Sequence, residues 1–162
     1  MRRFLAGLLV LGACPSLAPA QQGASATIRV QARVNAVCEV VATQLDFGVY
    51  SAESGSPLQG STLLKATCTP RTSYQIGLGE GTAPGATVQQ RRMVSASSNV
   101  LHYQLYSDPA RSRVWGNTPG VNTVTGVGNG LPQAHIVFGS VPAAQSAPIE
   151  SYGDTIIVRI YY

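Results

Sequence analysis

Any chemistry in this 162-residue chain would have to come from two histidines, three cysteines and a thin supply of charged residues. His102 and His135 fall within alternating apolar patterns. Neither has a cysteine or carboxylate at metal-ligand spacing, so we expect them on strands and not in a metal site. The sequence contains no C-x-x-C pair for redox or zinc chemistry and no G-x-S-x-G elbow to present a nucleophile. The run Gly126-Val127-Gly128-Asn129-Gly130 has the glycine content of a phosphate-cradling loop. Leu131-Pro132 follows, however, where a helix N-terminus would have to begin. Tyr103, Tyr106 and Trp115 could form a sugar-stacking platform, although Tyr103 lies on the apolar face of its segment, where packing is the default. Arg91-Arg92, Arg111 and Arg113 read as scattered solvated charges. We expect no catalytic centre, no cofactor and no metal.

The elements around these residues explain more. MRRFLAGLLVLGACPSLAPA has paired arginines, an apolar run from Phe4 to Ala13 and an A-P-A ending. That is the layout of a secretory signal peptide (1–20), with an apolar run too short to span a bilayer. Leu11-Gly12-Ala13-Cys14 resembles a lipobox, a rival reading weakened by Pro15 and by the well-formed A-P-A site. Cleavage after Ala20 would remove Arg2 and Arg3 and halve the formal charge of +4, which makes nucleic acid a poor partner. It would also leave Cys38 and Cys68 as an even pair. In an oxidising compartment such a pair reads as one disulfide, the alternative being two buried free thiols.

Beyond residue 20, Gly and Pro are abundant and helical periodicity is hard to find, so the composition points to an all-β domain. TIRVQARV (27–34) alternates, with Ile28, Val30, Ala32 and Val34 on one face. Further strand patterns are VCEVV, QLDFGVYS, STLLKATCT, SYQIGLGEG, RRMV, NVLHYQLYSD, the hairpin return SRVWG, and AHIVFGSVP. GDTIIVRIYY closes the series, with Ile156, Val158, Ile160 and Tyr162 at every second position. NTPGVNTVTGVGNGLP reads as a long surface loop that includes an extended edge segment. Seven or eight short strands without a helix predict an antiparallel sandwich.

Several of these pieces occur in a telling order: LDFGVY, CTPRTSYQIGLGEG, RRM, LHYQLYSD, VWG, VFGSVPAAQ and YGDTIIVRIYY. Together, over roughly residues 36–162, they resemble the spore coat protein U family, whose domains are similar to subunits of archaic chaperone–usher pili. The resemblance implies an incomplete immunoglobulin-like antiparallel β-sandwich, pilin-like and missing its final strand. It also implies a hydrophobic groove beside the terminal strand. A periplasmic chaperone fills that groove first, and the N-terminal strand of a neighbouring subunit replaces it at the outer-membrane usher. Residues 21–35 are then the N-terminal extension and candidate donor strand, through Ile28, Val30, Ala32 and Val34, and 36–162 the pilin-like domain. Ile156, Val158, Ile160 and Tyr162 are the candidate acceptor edge. The expected protein is a non-enzymatic subunit of a pilus or surface fibre, exported through the periplasm to the cell surface of a Gram-negative bacterium, with neighbouring copies or related pilins as partners. The pattern alone leaves a rival open, in which TIRVQARV completes its own sandwich as a secreted monomer. A carbohydrate-binding module using Trp115 is a further alternative.

Overall fold

A computed structural model describes residues 22–162. The expected signal peptide, including Cys14, lies outside the described residues. Two units are described separately, residues 22–33 and the body, 34–162. Residues 22–33 form no helix or strand, and Ile28 and Val30 are 85% and 87% exposed. The alternating pattern of 27–34 therefore does not form a strand in the free chain. A strand needs a partner for its main-chain groups, and pattern alone supplies none.

The body is built from eight strands: β1 (Cys38–Ala42), β2 (Leu58–Cys68), β3 (Ser73–Leu78), β4 (Arg91–Val94), β5 (Val100–Tyr106), β6 (Val124–Val127), β7 (Gln133–Val141) and β8 (Val158–Tyr161). One 3-10 turn, Ala52–Ser54, is the one helical element among the described residues. The strands form two antiparallel sheets, one ordered β1-β2-β7-β5-β4 and the other β6-β3-β8.

Alternation sets which side chains meet between the sheets. Leu64, Ala66 and Cys68 of β2 are buried, as are Leu101, Tyr103 and Leu105 of β5 and Val137 and Val141 of β7. Tyr74, Ile76 and Leu78 of β3 close on them from the smaller sheet. The Cys38–Cys68 disulfide joins β1 to β2 at directly opposed positions of the ladder. A cross-link closing a loop of this length contributes about 3–4 kcal/mol in the chain-entropy account.

Three expectations need correction. Trp115 is 1% exposed, and its indole N–H donates to the Ile76 carbonyl at 2.8 Å. A sugar platform needs an open ring face, so the carbohydrate-binding reading through Trp115 fails; its indole is part of the core. Arg91 is not a solvated charge either, being 0% exposed. Its guanidinium donates to the carbonyls of Gly79 (2.8 Å), Leu78 (2.9 Å), Trp115 (2.7 Å) and Val88 (3.3 Å), and to Gln104 Oε1. Burial lowers its pKa to about 10, while the surrounding carbonyl dipoles make the site tolerable for a cation. Finally, SRVWG makes no full hairpin strand; an isolated bridge joins Tyr106 to Val114.

Candidate functional site

The feature that stands out is a groove of about 840 Å³ on the body. Its floor is the apolar inner surface just described, including Leu64, Leu78, Leu101, Tyr103 and Val137. Two extended segments form its walls, residues 42–50 and residues 147–158.

The first wall follows β1. QLDFGVYS was expected as a strand, yet residues 43–50 have no place in a named ladder. The physical reason lies at its centre. Asp46 accepts the Gly48 N–H at 2.8 Å, and Gly48 has φ 74°, so the chain turns instead of continuing. Side chains fix the wall instead. Thr43 Oγ1 donates to the Leu63 carbonyl at 2.7 Å, and the Tyr50 hydroxyl donates to the Pro142 carbonyl at 3.0 Å. Leu45 and Phe47 rest against a depression made by two glycines, Gly60 of β2 and Gly139 of β7, which face each other in the ladder. A Cβ on Gly139 would come within 2.6 Å of the Phe47 ring and 2.7 Å of Leu45.

The second wall is the C-terminal segment. Gly153 exchanges both main-chain hydrogen bonds with Val94 of β4, at 2.9 and 3.1 Å. The Gly79 N–H donates to the Ile157 carbonyl at 3.0 Å, and β8 then pairs with β3. The strand expected over GDTIIVRIYY is thus a four-residue ladder preceded by an extended stretch that crosses from one sheet to the other. Within that stretch, Asp154 accepts from the Tyr103 hydroxyl at 2.6 Å and from the Thr82 N–H at 2.8 Å. Burial and the adjoining carboxylate both push the Tyr103 phenol above its ordinary value, so it stays a protonated donor.

β8 is an edge strand, with β3 on one side and no named strand on the other. Ile156 and Val158 line the groove, while Ile157 between them and Arg159 after them are exposed. Ile160 packs on the core opposite Ile76, away from the groove lining. Tyr162 is 61% exposed and borders a separate surface hollow with Ser73 and Gln75. Of the four candidate edge residues the groove therefore brings together Ile156 and Val158. Among the four candidate donor residues, Ala32 and Val34 are exposed like Ile28 and Val30.

Residues 43–50, Asp154 and the two opposed glycines belong to the site without having been singled out in the sequence. The Leu45–Phe47 alternation is the signal that the sequence offered for this wall. No group of three or more His, Cys, Asp or Glu among the described residues is placed to hold a metal ion.

Comparison with known proteins agrees with this geometry. The family model described as Spore Coat Protein U domain matches residues 24–159. A relative, Protein U of Myxococcus xanthus, is 32% identical over 177 aligned positions, which cover 100% of this chain and 98% of the relative. Among solved structures, one similar chain comes from the CsuC–CsuE chaperone–tip adhesion subunit pre-assembly complex of the archaic chaperone–usher Csu pili of Acinetobacter baumannii. The TM-score is 0.57 at 21% identity, covering 80% of this chain and 40% of the other. At that identity the likeness concerns the fold.

Proposed function

The chain belongs to the Spore Coat Protein U domain family, and from that premise we propose that it is an exported subunit of a chaperone–usher type pilus or surface fibre. Its role is structural, and its assembly step is donor-strand complementation. The observation that carries this reading is the groove itself: a trough of about 840 Å³ with an apolar floor, bordered by the C-terminal segment where it enters the edge strand β8. Left bare, an apolar edge of this kind is a template for pairing with other chains. A strand laid into it would satisfy the edge and cover the floor, the mode known as β-strand addition.

Segment 27–34 has the pattern of such an occupant. Ile28, Val30 and Val34 on one face would each contribute about 1.5–3 kcal/mol on burial, and Ala32 would sit where the groove is shallow. A periplasmic chaperone would hold the groove before assembly and an outer-membrane usher would direct the exchange. Neighbouring copies or related pilins would then be the lasting partners, at the cell surface. The similar fold of a subunit held in a chaperone complex supports the first of these partners.

Size-exclusion chromatography of the mature chain, with and without residues 21–34, tests the reading. The full chain should form heat-resistant multimers or need a chaperone to stay soluble, and the shortened chain should not donate. A stable full-length monomer that unfolds on the same deletion would show that the segment completes its own sandwich, and would overturn the proposal.

A further inference from the structure

The groove carries charge of one sign. Among the described residues that line it, Asp46, Glu150 and Asp154 are acidic and none is Lys or Arg. Asp154 is engaged by Tyr103 and Thr82. Asp46 and Glu150 are exposed, one on each wall, and both are held in place. Asp46 is fixed by the Gly48 N–H at 2.8 Å. Glu150 accepts from Asn99 Nδ2 at 3.3 Å, and hydrogen bonds from Ser95 and Ser97 keep its carboxyl below the usual carboxylate range.

Residues 22–34 have the complementary composition, with Arg29 and Arg33 and no acidic residue. When Ile28, Val30 and Val34 face a groove floor, the odd-numbered arginines face its mouth. They lie four positions apart, about 13 Å along the strand. We propose that Asp46 and Glu150 form a selecting rim, and that its partner is a second copy of this chain, received through Arg29 and Arg33. This inference rests on the donor-strand reading above.

The rim acts on encounter and alignment more than on final stability. Exposed ion pairs contribute little to a finished interface. Oriented opposite charges instead raise association rates and disfavour wrong registers. A one-residue slip would turn both arginines into the apolar floor and leave the carboxylates facing valines, so charge and hydrophobic row enforce the same alignment.

The test compares multimer formation by full mature chains, followed by light scattering at low and high salt. R29E/R33E should assemble about tenfold more slowly than wild type at low salt, with the gap closing as salt rises. D46N/E150Q keeps the oxygens that accept from Gly48 and Asn99 while removing both charges. On that neutral rim, adding R29E/R33E should cause no further slowing. The wild-type rate should itself fall with salt, a readout that requires no variant. The inference is overturned if R29E/R33E assembles at the wild-type rate at low salt, or is slowed equally on the neutral rim. Val30→Asp separates the two levels. If it blocks assembly while the charge variants behave as wild type, the rim fails and strand donation stands. If wild type is a stable monomer that unfolds on deletion of residues 21–34, both fall.

Discussion

The Tyr103 hydroxyl donates to Asp154 Oδ2 across 2.6 Å, tying the floor of the groove to its C-terminal wall. On its other side the same ring meets Phe47 edge-on, with centroids 6.2 Å apart. One residue of β5 therefore braces both walls. Removing the hydroxyl by Tyr103→Phe keeps the ring contact and releases Oδ2 of Asp154, while Oδ1 keeps its bonds from Thr82 and Thr155. A hydrogen bond to a charged acceptor is worth about 1.5–3 kcal/mol, and urea unfolding should show a loss of that order. An unchanged midpoint would mean that the donors on Oδ1, Thr82 and the Thr155 N–H, suffice to hold Asp154.

Arg91 offers a second, larger effect. Arg91→Lys preserves the charge but cannot reach the carbonyls of Leu78, Gly79 and Trp115 with a planar fork. Those carbonyls would be left underpaired around a buried cation, so the chain should lose about 3–5 kcal/mol, as when a buried polar partner is removed. Thermal and urea denaturation both read this, and a shift below 1 kcal/mol (about the worth of one ordinary hydrogen bond) would contradict it.

Legibility of the molecule in its sequence follows this contrast. Cys38 and Cys68 could be paired from the expected export and their even count, and the β5 row Leu101, Tyr103, Leu105 could be placed inside from alternation. Both are local or arithmetic signals. Arg91 could not be placed, because its burial depends on carbonyls contributed by 78–79, 88 and 115, far apart in the chain. Residues 43–50 alternate like a strand, yet Asp46 turns the backbone at Gly48. The same holds at 155–157, where a strong strand pattern runs beyond the four-residue ladder of β8. Periodicity reports which face is apolar; whether a ladder forms depends on a neighbour that one segment cannot specify.

The loop after β5 predicts an acid-sensitive step. The backbone N–H of Arg113 (2.7 Å), with the Ser112 hydroxyl and N–H, holds the Asp108 carboxyl below its usual range. A carboxylate with a depressed folded pKa adds stability above its unfolded value, and that contribution is lost as pH falls through the folded one. Wild type should exceed Asp108→Asn in stability at neutral pH. The difference should shrink between about pH 5 and pH 2. A difference that stays constant across that range would exclude the carboxylate as its source.

Gly139 controls the first wall. In Gly139→Ala the added methyl would meet Phe47 at 2.6 Å, too close for either to remain in place. The wall around 45–47 should lift from the sheet, at a cost of about 1–3 kcal/mol typical of overpacking. Limited proteolysis should then cut near residues 43–50 faster than in wild type. Equal cleavage rates would show that the Phe47 ring swings aside without moving its backbone.

The path of residues 153–161 has a mechanical consequence. One end is bonded to Val94 in the larger sheet and the other to β3 in the smaller. Antiparallel ladder bonds lie across their strands, so tension applied lengthwise to this segment shears its bonds together instead of opening them singly. Because the two anchorages lie in different layers, the same pull is divided between them. The load then draws the layers against each other across Ile156 and Val158, and rupture requires both attachments to yield.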